Sequence, residues 1–315
     1  MKKLSTKILF IGLVVLVIFF VASRFFWSPR LESNLRKNLL KLDTASINEV
    51  RIHPAKAPLE EIKLIRDGKK WKVVKGTESK SPNMTAVKNL LGALVDLPTQ
   101  RLVSRKKERW EDYQVGKNST QVTVYSGGKN VADFHVGKLG FSQGGAGMFS
   151  SAYTYFRLSD EKEVYTVEGF LESKFNNSFD DWRDKTLLKL KKEEIAKISF
   201  LYPADSGFVL SRRDSVWFVD NEKADPTKAA NFINQISSKY IMAFADGFTP
   251  SSQPHATLQI NGKTGNLATV EGWLKGDGSW VLTSSFQKGI YFSTQGSKIA
   301  SDIFTSRKKL LPDEK

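Results

Sequence analysis

Cysteine is absent from the 315-residue chain. That absence excludes zinc ribbons, iron–sulfur clusters, thiol nucleophiles and disulfides, and also a lipoprotein anchor, which needs a cysteine to acylate. Histidine is nearly as scarce. His53, His135 and His255 fall at strand ends or in a turn, without the short spacing of metal-ligand pairs. No glycine-rich loop runs into Gly-Lys-Ser or Gly-Lys-Thr at the spacing a nucleotide-phosphate cradle requires. Carboxylates are spread too evenly to nominate an acid–base pair. The expectation is therefore a protein with no catalytic residue, no metal and no cofactor.

Charge is unbalanced but not clustered. Lys and Arg number 48 against 33 Asp and Glu, a formal net charge of +15. Nucleic acid, anionic lipid and acidic glycan are the partner classes such an excess suits. Because the cations are scattered, solubility alone would also account for them. A hydrophobic fraction of 40% suffices for a packed core.

Long apolar runs are missing too, except one. After Lys2, Lys3 and Lys7, residues 8–22 are uncharged and apolar, and Phe25, Phe26 and Trp27 extend the run past Arg24. Twenty helical residues span about 30 Å, the thickness of a bilayer's hydrocarbon core. The reading is an uncleaved anchor over 1–27, N-terminus cytoplasmic because the lysines precede it, with an aromatic belt at Phe26 and Trp27. A cleaved signal peptide ending near Val21-Ala22-Ser23 is the alternative. Either places the bulk of the chain in the periplasm of a bacterial envelope and argues against nucleic acid as partner. Residues 28–46 read as a polar, basic stalk.

Beyond the stalk the sequence repeats itself. Leu64-Ile65-Arg66-Asp67-Gly68-Lys69-Lys70-Trp71-Lys72-Val73 matches Leu210-Ser211-Arg212-Arg213-Asp214-Ser215-Val216-Trp217-Phe218-Val219 in Leu, Arg, Trp and Val. Each predicts a hairpin whose second strand carries the Trp, Trp71 or Trp217. A strand with alternating apolar residues precedes each hairpin, and a capped helix follows. Asn83 heads Val87, Leu90, Leu91 and Leu94; Asp225 and Pro226 head Ala229, Phe232, Ile233 and Ile236. Strands then recur around Gly127-Gly128-Lys129 and Asn261-Gly262-Lys263, predicting hairpin turns of related type. The expected fold is α+β, a tandem duplication of a strand–Trp hairpin–helix–strand meander unit, with repeats over 47–190 and 191–315.

Three segments stand out as candidate sites. Glycines at 137, 140, 144, 145 and 147 predict a long flexible hairpin loop, with Gly140, Gly144, Gly145 and Gly147 as possible partner contacts. Asp180-Asp181-Trp182-Arg183-Asp184-Lys185 is the densest charge cluster. It lacks the spacing of an EF-hand, so it reads as structural: Asp180 or Asp181 pairing with Arg183, and Trp182 anchoring the join between repeats. Arg101, Arg105, Lys106, Lys107 and Arg109, with Trp110 and Tyr113 close by, read as a solvated basic loop or as a contact with lipid or protein. Trp110, Trp273 and Trp280 are candidate exposed aromatics.

These features resemble a known family. An N-terminal anchor, a Trp-bearing hairpin, a capped amphipathic helix and the segment Phe179-Asp180-Asp181-Trp182-Arg183-Asp184-Lys185-Thr186-Leu187-Leu188 are similar to the bacterial domain of unknown function 4340 family. One departure is Tyr113-Gln114-Val115-Gly116, where family members often carry Tyr-Gly-Leu. The resemblance implies an inner-membrane envelope protein, often encoded beside gliding-type ABC transporter components, and supplies no catalytic residues. The expected function is a non-enzymatic, membrane-anchored periplasmic accessory or scaffold associated with an ABC-type transporter. The alternative is a module that binds envelope glycan or anionic lipid.

Overall fold

The computed structural model describes Leu13 and residues 15–17, 36–143, 149–203 and 206–313. The expected anchor lies outside the described residues except at those four positions. No helix among the described residues is long and apolar enough to cross a membrane. The fold is α+β with strands dominant, and the chain divides into two compact units, 1–182 and 183–315.

In the first unit ten strands form one sheet. They are β1 (Asn38–Leu40), β2 (Ile47–His53), β3 (Ile62–Asp67), β4 (Lys70–Lys75), β5 (Glu78–Lys80), β6 (Leu97–Ser104), β7 (Thr120–Ser126), β8 (Lys129–Gln143), β9 (Phe149–Leu158) and β10 (Val164–Glu168). Their order across the sheet is β1-β6-β10-β9-β8-β7-β2-β3-β4-β5. Alternation sets the core face: Val50 and Ile52, Ile62 and Leu64, Val122 and Val124 all point inward and are buried. The helix α1 (Met84–Val95) follows β5. Asn83 caps it, its side-chain oxygen accepting from Thr85 N at 3.1 Å and Ala86 N at 3.2 Å. Val87, Leu90 and Leu94 are fully buried in the core. Each contributes about 1.5–3 kcal/mol by leaving water. The β7–β8 hairpin closes on Gly127-Gly128, whose φ of +56° and +77° suit a two-residue turn of the type that matches strand twist.

The second unit opens with β11 (Thr186–Lys189) and continues through β12 (Lys197–Leu201), β13 (Phe208–Arg213), β14 (Val216–Val219) and β15 (Glu222–Lys223) to the helix α2 (Pro226–Ser237). Then come β16 (Ser238–Tyr240), β17 (Ala243–Phe244), β18 (Ala256–Asn261), β19 (Asn266–Leu274), β20 (Trp280–Ser284) and β21 (Phe292–Ser293). Nine strands run β15-β14-β13-β12-β18-β19-β20-β21-β17, and β11 pairs with β16 apart from them. Asp225 caps α2 through Lys228 N at 2.8 Å, and Ala229, Phe232, Ile233 and Ile236 are buried as their spacing predicts. Trp71 and Trp217 sit on β4 and β14, the second strands of the two Trp hairpins.

The two strand orders correspond. β5-β4-β3-β2-β7-β8-β9-β10 in the first unit is followed, position for position, by β15-β14-β13-β12-β18-β19-β20-β21 in the second. Finer details correspond too. Gly68 opens the first Trp hairpin at φ +60° and Asp214 the second at φ +54°. Arg66 Nη1 donates to Ala45 O at 2.7 Å; Arg212 Nη2 donates to Glu193 O at 3.1 Å. The turns expected to be related differ, however: β18 and β19 are joined by four residues, closed by Gly262 N donating to Gly265 O at 2.8 Å.

The opening strand of each unit moves the expected boundaries. Leu39-Leu40-Lys41-Leu42 and Leu187-Leu188-Lys189-Leu190 are the same four residues. β1 pairs with β6 and β11 with β16, and Leu39, Leu40, Leu187 and Leu188 are buried. The end of the expected stalk therefore belongs to the first fold, and the division falls at Trp182/Arg183, ahead of the expected 190/191. The cause is that a short strand gains its stability from a distant partner, which local composition does not reveal.

Candidate functional site

The first unit's sheet buries one face against α1 and presents the other outward. On β9 the alternation is explicit: Thr154 and Phe156 are buried inward, while Tyr153 and Tyr155 face out, half-buried. Strand register extends this into a row. Arg101 on β6 lies opposite Thr166 on β10, Thr166 opposite Tyr155 on β9, and the bulge at Gly137-Lys138 on β8 completes it. Burial and the Tyr153 hydroxyl push the Tyr155 phenol up to about 12.

The segment between β6 and β7 packs onto this outer face. Two 3-10 turns, Lys107–Arg109 and Glu111–Tyr113, carry it. Tyr113 and Val115 are buried with Val164 in a small second core. Arg157 locks the segment in place. Its Nε donates to Val115 O at 3.0 Å, its Nη1 to Leu158 O at 3.0 Å, and its guanidinium lies 3.8 Å from the Trp110 ring centre. The Trp110 indole donates to Lys162 O at 3.0 Å. Beside Arg157 stands His135, whose Nδ1 is 2.7 Å from Ser119 Oγ. Burial first, and Arg157 second, pull its pKa down to about 4. Ser119 Oγ also donates to Gly116 O at 2.7 Å, so the serine ties His135 to the packed segment.

Cations line this face over aromatic rings. Lys107 lies 5.3 Å from the Trp110 ring centre, Arg109 5.2 Å from Tyr113, and Lys138 5.9 Å from Tyr155. Arg109 also pairs with Asp112 at 3.0 Å and Arg105 with Glu163 at 3.9 Å. Among the described residues, Arg101, Lys106, Lys107 and Lys138 have no ion-pair partner. Sequence reasoning found Arg105, Lys106, Lys107 and Trp110. It missed Lys138, Tyr153 and Tyr155, although the alternation of Tyr153, Tyr155 and Arg157 is visible in the sequence. The equivalent segment of the second unit, between β17 and β18, is apolar where it packs: Phe248, Trp273 and Tyr291 lie with ring centres 5.2–5.9 Å apart. Trp273, expected to be exposed, is buried there and donates to Ser252 O; Trp110 and Trp280 are half-buried.

The expected glycine loop is largely strand. β8 runs to Gln143 and pairs with β9 as far as Phe149. Gly137 and Gly140 lie within it because a side chain has no room: a Cβ at Gly137 would overlap Tyr113 O, and one at Gly140 would overlap the Tyr153 ring directly across the pair. Gly144, Gly145 and Gly147 lie outside the described residues. Gly140-Phe141-Ser142-Gln143-Gly144 has the letters of a nucleophile elbow, which demands a strand–turn–helix. Ser142 instead sits in a strand with its Oγ 2.7 Å from Ser151 Oγ. Phe141 on the hairpin and Phe170 just after β10 are 47% and 54% exposed, with ring centres 6.4 Å apart.

The charged segment that ends one unit and opens the next splits its duties. Trp182 is buried in the first core, and Asn83 N donates to its carbonyl at 2.7 Å. Arg183 is buried in the second unit and takes Asp246 as a bidentate partner. Asp181 caps a turn by accepting from Ser178 N and Oγ. Asp184 accepts from Thr186 N at 3.0 Å.

Clefts elsewhere offer little chemistry. One of about 460 Å³ beside Trp280 is lined by Asp277 and Thr294, which already accept from Ser279 and from Trp280 N. One of about 810 Å³ near Leu40 includes Asp133, held by Gln121, Thr123 and Ser159. One of about 280 Å³ lies between Arg212, Trp217 and Ile233. No three His, Asp or Glu among the described residues converge as a metal site.

A family model described as domain of unknown function DUF4340 matches residues 82–260, from the start of α1 to β18 and more than half of the chain. The chain belongs to the DUF4340 family. The match contains the outer face of the first unit and crosses the Trp182-Arg183 division. No curated protein and no solved structure matches this DUF4340 chain.

Proposed function

We propose that this DUF4340 protein is a non-enzymatic accessory, held by its N-terminal apolar segment in a bacterial inner membrane with both units in the periplasm, and associated with an ABC-type transporter. The two units are read as copies of one ancestral α+β unit, supported by their matching strand orders. After duplication one copy is free to specialise, and the first carries the exposed chemistry. The observation that carries the partner reading is the Phe141–Phe170 pair: two large rings left half in water, one on the long β8–β9 hairpin and one just after β10. Exposed aromatics of this kind are common anchors of protein interfaces.

The test is recovery of tagged full-length protein from native membranes in mild detergent, beside a Phe141→Ser, Phe170→Ser variant. Stoichiometric transporter subunits with the wild type, lost from the folded variant, are the expected result. Absence of any envelope protein from the wild-type preparation would sink the accessory reading. A second reading, a module for envelope glycan or anionic lipid, is favoured by the unpaired cations of the outer face.

A further inference from the structure

We infer that the outer face of the first unit docks on anionic phospholipid headgroups, so that the unit lies against the membrane that holds its anchor. The inference rests on the anchor reading and adds an orientation to it. Arg101, Lys106, Lys107 and Lys138 are exposed and without ion-pair partners among the described residues. Lys107 and Lys138 lie over aromatic rings, which hold a cation without neutralising it. The neighbouring carboxylates are engaged: Asp112 with Arg109, Glu163 with Arg105, and Glu111 accepting from Lys117 N at 3.1 Å. Glu108 is the exposed acid that opposes the cations.

Geometry favours a surface over a small ligand. The cations span strands β6 and β8 and the intervening segment, and none of the three clefts includes them. Chain length then favours the membrane. Between Trp27, at the expected end of the anchor, and Arg36, whose guanidinium pairs with Glu161 of the first unit, lie residues 28–35. Eight residues reach about 30 Å at most when fully extended. That tether keeps the first unit at high effective concentration beside the headgroups. Attraction to an anionic surface acts within about 10 Å, which docking supplies and a longer reach would not.

A chain without native cysteine permits one defined reporter: Lys106→Cys carrying an environment-sensitive fluorophore. The labelled full-length protein is reconstituted into vesicles of phosphatidylcholine alone and of phosphatidylcholine with phosphatidylglycerol. Expected is a lipid-contact signal in the anionic vesicles only, abolished by 0.5 M salt. Adding Arg101→Glu, Lys107→Glu and Lys138→Glu should lower the docked fraction at least about fivefold. The milder Arg101→Gln, Lys107→Gln and Lys138→Gln set keeps the test open should the reversal misfold. Equal signals in neutral and anionic vesicles overturn the inference. So does a label indifferent to anionic vesicles that responds to added polyuronate, which would assign the face to acidic glycan. Alkaline carbonate extraction reads the anchor separately: protein released from vesicles refutes the anchor, while protein retained without the lipid signal refutes only the docking.

Discussion

Arg183 and Asp246 meet fork to fork, Nη1 to Oδ2 at 2.6 Å and Nη2 to Oδ1 at 2.7 Å, 63 residues apart in the chain. The guanidinium also lies 3.5 Å from the Phe244 ring centre. Its side chain is 2% exposed, whereas Asp246 is 46% exposed. Removing the carboxylate therefore takes both hydrogen bonds of this fork from a buried cation. Asp246→Asn should destabilise the second unit by about 2 kcal/mol, read from its urea transition. Arg183→Lys should cost a similar amount, because an ammonium loses both the fork and the stacking. A shift below 0.5 kcal/mol for both would show the pair to be incidental.

Helix caps give a second expectation. Asn83 satisfies two amides of α1 and Asp225 one of α2. Asn83→Ala and Asp225→Ala should each lower stability by about 1 kcal/mol, and Asn83→Asp should be close to neutral. Thermal melts of the three variants decide it.

Glycines separate by what surrounds them. Gly137 faces Tyr113 O and Val115 Cγ1 within 3 Å of any added Cβ, while Gly92 on α1 has open space. Gly137→Ala should cost more than about 2 kcal/mol, because a backbone oxygen of the packed segment must move. Gly92→Ala should stabilise by up to about 1 kcal/mol through helix propensity. Equal effects at both positions would refute the close approach.

Acid should loosen the first unit through His135. Folded His135 takes its proton only near pH 4, against an ordinary value of 6.5. The unfolded chain binds that proton first as pH falls. The stability this group contributes is thus whole above pH 6.5 and is lost progressively toward pH 4, by about 2 kcal/mol. The groups facing it, Arg157 and Asp133, are unchanged in His135→Gln. That variant should lose stability less steeply between pH 7 and pH 4.5 than the parent. Parallel pH profiles would mean that His135 is hydrated and ordinary.

Much of this was legible in the sequence because it is local. Helical spacing located the two 12-residue helices and their caps, and the Trp hairpins announced themselves through Asp67-Gly68 and Arg213-Asp214. What escaped reading is long-range. Leu39 and Leu40 look like part of a stalk until β6 pairs beside them. Arg183 has acidic neighbours in sequence, and nothing local announces the bidentate partner that arrives from residue 246. Gly137 and Gly140 suggest slack but serve close packing, a distinction that depends on Tyr113 and Tyr153. Half of the outer face escaped for the same reason: Lys138, Tyr153 and Tyr155 join the basic segment only through strand register.

The repeated Leu-Leu-Lys-Leu strand has a cost during folding. β1 and β11 present the same buried leucines to β6 and β16, so each is a ready competitor for the other's partner in a chain that has not finished folding. The segments that begin the two units are thereby also the place where one molecule can lend a strand to another, and crowded refolding should favour exchanged dimers over monomers.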